Sequence, residues 1–108
     1  MNPYRGQVWW VETEFGRKPW LVVSNNRINQ RRRRTVIAAR MTTTMKFQDL
    51  PEVVGLSSQD QMTGVVLCGT LAEIDKEDLL QNAGALSRET MRRVDAALAF
   101  TFGLSVGT

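Results

Sequence analysis

Lysine, arginine and hydroxyl side chains are the groups with which this sequence can do chemistry. Its 108 residues include 14 Lys and Arg, 11 Asp and Glu, one cysteine and no histidine. Without histidine there is no Ser-His-Asp triad, no His-ligated zinc and no imidazole acid–base pair. The single Cys68 excludes an internal disulfide framework and a multi-cysteine metal site, and reads as a small buried hydrophobe. The charges are unevenly spread. Residues 15–48 carry nine basic side chains (Arg17, Lys18, Arg27, Arg31, Arg32, Arg33, Arg34, Arg40 and Lys46) and no acid. From residue 49 to 89 the balance reverses, with eight acids against Lys76 and Arg88. A one-sided basic block predicts a polyanionic partner, because Lys and Arg gain affinity by displacing counterions from phosphates. A solvated loop charged for solubility is the competing reading.

The elements that must position these groups are mostly strands. Residues 7–14 are rich in strand formers and lack helical periodicity, predicting a first strand followed by a short basic turn over residues 15–18. Residues 19–24 form a nearly continuous apolar run, read as a central strand with Pro19 at its entry. Asn25, Asn26 and Asn29 are turn residues leading to Arg31–Arg34 on an exposed hairpin end. Residues 35–41 predict strand three and residues 53–56 a short further strand. A polar loop over 57–64 precedes a strand over 65–74, with a bend or bulge at Gly69. Asp75 and Gly84 bracket an expected helix. A second helix is predicted from a Ser87 cap to Gly103, burying Met91, Val94, Leu98 and Phe102. The whole, residues 1–108, reads as one mainly-β (α+β) domain, a partly open barrel with a terminal helix. No apolar run approaches the roughly 20 residues that span a bilayer, and no signal-peptide pattern opens the sequence, so a cytoplasmic protein is expected.

Five collinear strings then carry a family resemblance. Arg5-Gly6-Gln7-Val8-Trp9 resembles the opening of the MazF/PemK toxins, and Lys18-Pro19-Trp20-Leu21-Val22-Val23-Ser24-Asn25 is similar to their "RP" strand. Ala38-Ala39-Arg40-Met41-Thr42-Thr43-Thr44 with Leu50-Pro51 resembles the following strand, which ends in Thr or Ser. Residues 65–75 and 86–104 resemble the late strand and final helix. The resemblance implies an SH3-like barrel of the CcdB/PemK/MazF type, a homodimer, and a sequence-specific endoribonuclease neutralised by a cognate antitoxin. It implies cleavage of single-stranded RNA without metal or cofactor: the 2′-hydroxyl attacks the adjacent phosphate, leaving a 2′,3′-cyclic phosphate and a 5′-hydroxyl.

The family's catalytic pair is an Arg before the proline and a Thr or Ser ending strand three. Thr42 matches the second. The first is Lys18 here, with Arg17 one residue earlier, so the catalytic cation is one of these two. Its role would be to neutralise charge developing on the phosphate, and Thr42 would hydrogen-bond the scissile group. Read without the resemblance, Lys18 is a solvated turn charge and residues 42–44 are β-branched strand residues. RNA contacts are expected from Trp20, Arg27, Arg31, Arg32, Arg33, Arg34, Thr43 and Ser24, with Trp20 divided between a stacking platform and the core. Ser24 also reads as a satisfied strand-end hydroxyl. Trp9 and Trp10 alternate, so at most one of them is core. Family members commonly carry a longer first loop with an acid; here Glu14 is the nearest carboxylate. Two alternatives remain on the sequence alone. One is a non-catalytic gyrase poison resembling CcdB, against which the tail of residues 105–108 lacks an aromatic anchor. The other is a nucleic-acid-binding module without chemistry.

Overall fold

Alternation of apolar and polar residues builds six strands into one antiparallel sheet. The computed structural model describes residues 2–105; the last three residues of the C-terminal tail lie outside the described residues. The strands are β1 (Gln7–Thr13), β2 (Gly16–Val22), β3 (Thr35–Thr42), β4 (Val53–Gly55), β5 (Val65–Asp75) and β6 (Leu79–Ala85). Two helices complete the fold, α1 (Asn26–Asn29) and α2 (Arg88–Phe102). The sheet runs in the order β4-β5-β3-β2-β1-β6. The mainly-β architecture with a terminal helix is as expected.

Successive side chains of a strand point to opposite faces. One face carries Val8, Leu21, Ala39, Met41, Val66 and Cys68, which pack with Val94 and Ala97 of α2. The other carries Trp20 with Val11, Ala38 and Ile74, and Trp9 with Val22 and Val36. Trp9 is core and Trp10 only half-buried, as alternation requires.

Several local expectations are corrected. The hairpin turn after β1 is Glu14-Phe15, so β2 begins at Gly16 and already contains Arg17, Lys18 and Pro19. Residues 26–29, read as turn, wind into one helical turn because the Asn25 side chain accepts from the Arg27 amide at 2.8 Å. The helix expected between Asp75 and Gly84 is absent. Lys76–Asp78 makes a short 3₁₀ turn without a side-chain cap from Asp75, and β6 follows. Asn82 and Gly84 are weak helix formers, and the outer edge of β1 offers this segment backbone partners along its length. Phe102 is not core but 61% exposed; the inward face of α2 is Thr90, Val94, Ala97 and Ala99. Ser87 caps α2 and Gly103 ends it in the left-handed conformation, as predicted. The bend foreseen at Gly69 is a break in register: Arg40 pairs with Leu67 but Ala39 with Leu71, leaving Cys68, Gly69 and Thr70 unpaired on β5.

A buried carboxylate joins the 57–64 loop to α2. Asp60 accepts from the Ser87 amide (2.7 Å), the Thr90 hydroxyl (2.6 Å), and the Ser57 amide and hydroxyl (2.8 and 3.1 Å). Burial acts to raise its pKa, but the hydrogen bonds from Thr90, Ser87 and Ser57 outweigh it and hold it at about 2. Because the folded value lies below the ordinary 3.8, this stabilisation is complete above that pH and is lost as pH falls toward 2. Asp60→Ala should therefore cost about 2–3 kcal/mol at neutral pH, read from urea midpoints. Asp60→Asn should converge on wild-type stability as both are titrated from pH 5 to pH 2; a constant gap across that range would show that the charge is not what holds the loop.

Candidate functional site

Pro19 sets the geometry of the candidate site. The β2–β3 ladder runs Val22↔Ala38, Leu21↔Ala39, Trp20↔Arg40 and stops there. Proline has no amide hydrogen to extend it. Carried two residues on, the same register opposes Lys18 to Thr42, on the face that also carries Trp20 and Arg40. The resemblance-implied pair thus lies just past the end of the β2–β3 ladder, opposed by extension of its register. Arg17 is exposed and alternates to the opposite face, whereas Lys18 is half-buried. The register therefore favours Lys18 as the cation of the pair.

Thr42 is held from two sides. Its Oγ1 accepts the Thr44 amide at 3.2 Å, leaving the hydroxyl hydrogen free to donate. Its backbone packs against Gly64, where a Cβ would stand 2.5 Å from the Thr42 carbonyl oxygen; Gly64 is also at φ +125°. Thr43 follows, exposed. The first hairpin is short, and its Thr13 hydroxyl accepts the Phe15 amide and donates to the Gly16 carbonyl. Phe15 is 77% exposed at the tip, beside the exposed Glu14.

The other predicted residues lie apart from this pair. Arg27, Arg31, Arg32, Arg33 and Arg34 are exposed or nearly so at the opposite end of the β2–β3 pair, about 20 Å along the strand at 3.3 Å per residue. Arg33 pairs with Glu73 at 3.0 Å, and Arg34 lies 3.8 Å from Asp75. Hydrogen bonds from Thr35 and Arg33 hold the Glu73 carboxyl below its ordinary pKa. Arg27, Arg31 and Arg32 make no ion pair among the described residues. Their loop is fixed by the Lys76 ammonium, which donates to the carbonyls of Asn29 (2.8 Å) and Arg31 (3.1 Å).

Ser24 is corrected to a structural role. It is buried, donates to the Asn29 side chain and accepts the Ile37 amide at 3.1 Å, which leaves it nothing to offer RNA. Trp20 is 9% exposed and belongs to the second core cluster, although it also walls a cavity. Burial raises the Cys68 pKa to about 12, so its thiol is no nucleophile. Among the described residues no three acidic or thiol groups converge to hold a metal ion.

Sequence reasoning missed Arg40. It is half-buried two residues before Thr42 on the same face, and its guanidinium makes no hydrogen bond or ion pair among the described residues. Its position in the basic block, inside an apolar strand, was the available signal. The tight contact at Gly64 yields a direct test of how Thr42 is held. Gly64→Ala should cost at least about 2 kcal/mol by urea denaturation, whereas Gly55→Ala, with open space around its Cβ, should stay within about 0.5 kcal/mol of wild type.

Comparison with known proteins identifies the family of the fold. Residues 4–102 match the family described as PemK-like, MazF-like toxin of type II toxin-antitoxin system. Endoribonuclease MazF4 of Mycobacterium tuberculosis and endoribonuclease MazF1 of Mycobacterium bovis are each 37% identical over 102 residues, 94% of either chain. A mycobacterial endoribonuclease solved in complex with its cognate antitoxin superposes with a TM-score of 0.90 at 35% identity, covering 97% of this chain and 99% of that one. MazF in a MazE–MazF crystal structure from Deinococcus radiodurans shares the fold, with a TM-score of 0.81 at 23% identity over 97% of this chain and 99% of that one. A chain that matches this family over residues 4–102, with relatives 37% identical over 94% of its length, belongs to the PemK-like, MazF-like toxins.

Proposed function

We propose that the protein is an endoribonuclease toxin that cleaves single-stranded RNA by attack of a 2′-hydroxyl on the adjacent phosphate, with Lys18 and Thr42 as its catalytic residues. The observation that supports this reading is the β2–β3 register, which, extended past Pro19, opposes Lys18 to Thr42. In the reaction the 2′-oxygen loses its proton and bonds to phosphorus, the P–O5′ bond breaks, and the 5′-oxygen takes up a proton. Charge accumulates on the non-bridging oxygens, where a fixed cation and hydroxyl donor act most strongly. Lys18 supplies the cation. Thr42 donates its free hydroxyl hydrogen to the phosphate. Both can act without metal, and neither needs a cofactor.

Arg27, Arg31 and Arg32 would hold flanking phosphates some distance from the cut, with Arg33 and Arg34 partly neutralised by their acids. Arg17 and Thr43 border the pair and are assigned to flanking RNA. An antitoxin partner is proposed because related toxins were solved with theirs. A homodimer would cover apolar surface such as Phe100 and Phe102 on α2. No helix among the described residues is long and apolar enough to cross a membrane. A cytoplasmic site of action is proposed, where RNA substrates would be met.

The test is cleavage of a long RNA in EDTA with mapping of the ends. Discrete cuts with 5′-hydroxyl termini are expected; RNA shifted but intact would overturn the reading. Thr42→Ala and Lys18→Ala should each lower the rate at saturating RNA by roughly a hundredfold. Arg17→Ala should mainly raise the RNA concentration required. Lys18→Arg should retain substantial activity if the ammonium acts as a charge, and lose most of it if it transfers a proton.

Replacing Arg31, Arg32, Arg33 and Arg34 with Gln should weaken RNA binding and flatten its dependence on salt without moving the cut sites. A changed cut motif would instead place these arginines on base edges.

A further inference from the structure

Residues 56–64 join β4 to β5 beside the end of β3. The Leu56 amide closes this loop at its base by donating to the Gly64 carbonyl at 3.0 Å. Above that bond the loop is not packed solidly on the strand end. A cavity of about 470 Å³ is lined by Ser57, Met62 and Thr63 together with Thr43 and Met45. The loop takes its position from α2 instead. Asp60 Oδ1 accepts the Ser87 amide at 2.7 Å, and Oδ2 accepts the Thr90 hydroxyl at 2.6 Å. The same Oδ2 accepts the amide and hydroxyl of Ser57, so one carboxylate binds the loop to the cap and first turn of the helix.

A buried carboxylate is costly unless its lone pairs are filled, and here four donors fill them. An apolar side chain would close the same gap without that cost. What the carboxylate adds is direction, because four hydrogen bonds of set geometry admit one placement of the loop. The far end of the loop bears on Thr42. A Cβ on Gly64 would stand 2.5 Å from the Thr42 carbonyl oxygen and 3.4 Å from the Thr43 Cα, so these backbones touch. Thr42 also pairs with Val65, the next residue along β5.

We infer that Asp60 is a positioning residue for Thr42: by tying the 56–64 loop to α2 it sets Gly64 against the Thr42 backbone, and through it the direction of the Thr42 hydroxyl. The inference rests on the ribonuclease reading of Thr42. Asp60 is buried with its acceptors occupied, so it touches no RNA itself. A misplacement of about 1 Å at a reacting group can cost ~100-fold in rate, which makes a rigid support consequential.

Two measurements test it on Asp60→Ala, with Val36→Ala as a control. Val36 is fully buried on the other face of the sheet, six residues and about 20 Å from Thr42 along β3. Its truncation destabilises the protein comparably without touching the loop. In NMR spectra of the folded proteins, the Thr42 methyl and the Thr43 and Thr44 amide signals should move in Asp60→Ala and stay in Val36→Ala. In cleavage assays under the same conditions, Asp60→Ala should lower the rate at saturating RNA roughly tenfold. The RNA concentration giving half that rate should change less than about twofold, and Val36→Ala should match wild type in both. Asp60→Asn, which keeps a carbonyl acceptor but turns an amide toward one donor, should fall between; it serves alone if Asp60→Ala does not fold.

Unmoved Thr42 signals in a folded Asp60 variant, or equal rate losses in Asp60→Ala and Val36→Ala, overturn the inference. A loss confined to the RNA concentration required overturns it too, since the loop would then act on binding. If wild-type protein cuts no RNA, the ribonuclease reading fails by itself, and the NMR comparison still decides whether Asp60 holds Thr42.

Discussion

The pairing of β3 with both β2 and β5 is the constraint on which the rest of this structure depends. β3 contributes buried side chains to both faces: Ala39 and Met41 under α2, Val36 and Ala38 on the other side. A strand committed on two faces cannot slip by one residue without exchanging all of these. Its outward residues are therefore fixed as firmly as its core. Arg40 and Thr42 inherit their direction from the burial of their neighbours. The three-residue interruption in β5 falls between the partners of Ala39 and Arg40, and Pro19 ends the β2 ladder opposite Met41 by the same register. Regular pairing thus fails on both sides of β3 at the point where the proposed catalytic side chains begin.

Much of the charge asymmetry in the sequence is resolved within the fold. Glu73 and Asp75, from the acidic half, meet Arg33 and Arg34 from the basic half. Exposed pairs of this kind contribute little stability, about 0–1 kcal/mol each. Their effect is to reduce the cationic run to Arg27, Arg31 and Arg32, at the end of the strands remote from Lys18. The remaining acids around Trp20 keep a negative rim close to the proposed cut. Two opposite potentials on one surface can orient an RNA: its phosphates are drawn along one route and kept out of the other.

The strands were legible where alternation and β-branched runs were strong, as in residues 7–13 and 35–42, and α2 was legible from its caps and period. Residues 75–84 were not, because whether that segment helices or pairs depends on the free edge of β1, a fact about the assembled sheet. Phe102 failed for a related reason: its spacing fits the buried stripe, but as the last residue of α2 it is left 61% exposed. Lys18 and Thr42 stand out only through family strings, 24 positions apart, and the register that would oppose them depends on the fold. Arg40 was invisible as a site because its peculiarity, the lack of a partner, is a tertiary property.

The replacement of the expected arginine by Lys18 connects these threads. An arginine can grip two phosphate oxygens in one plane and so fixes orientation as well as charge. A lysine gives a point charge with rotatable donors and fixes less. If orientation is not supplied by the cation, other groups must supply it. The hydroxyl of Thr42, held by the Thr44 amide, provides one direction. In the arrangement proposed above, then, positioning that a planar guanidinium would perform at the phosphate would fall more heavily on the hydroxyl of the facing strand, whose direction is set by the backbone rather than by a rotatable ammonium.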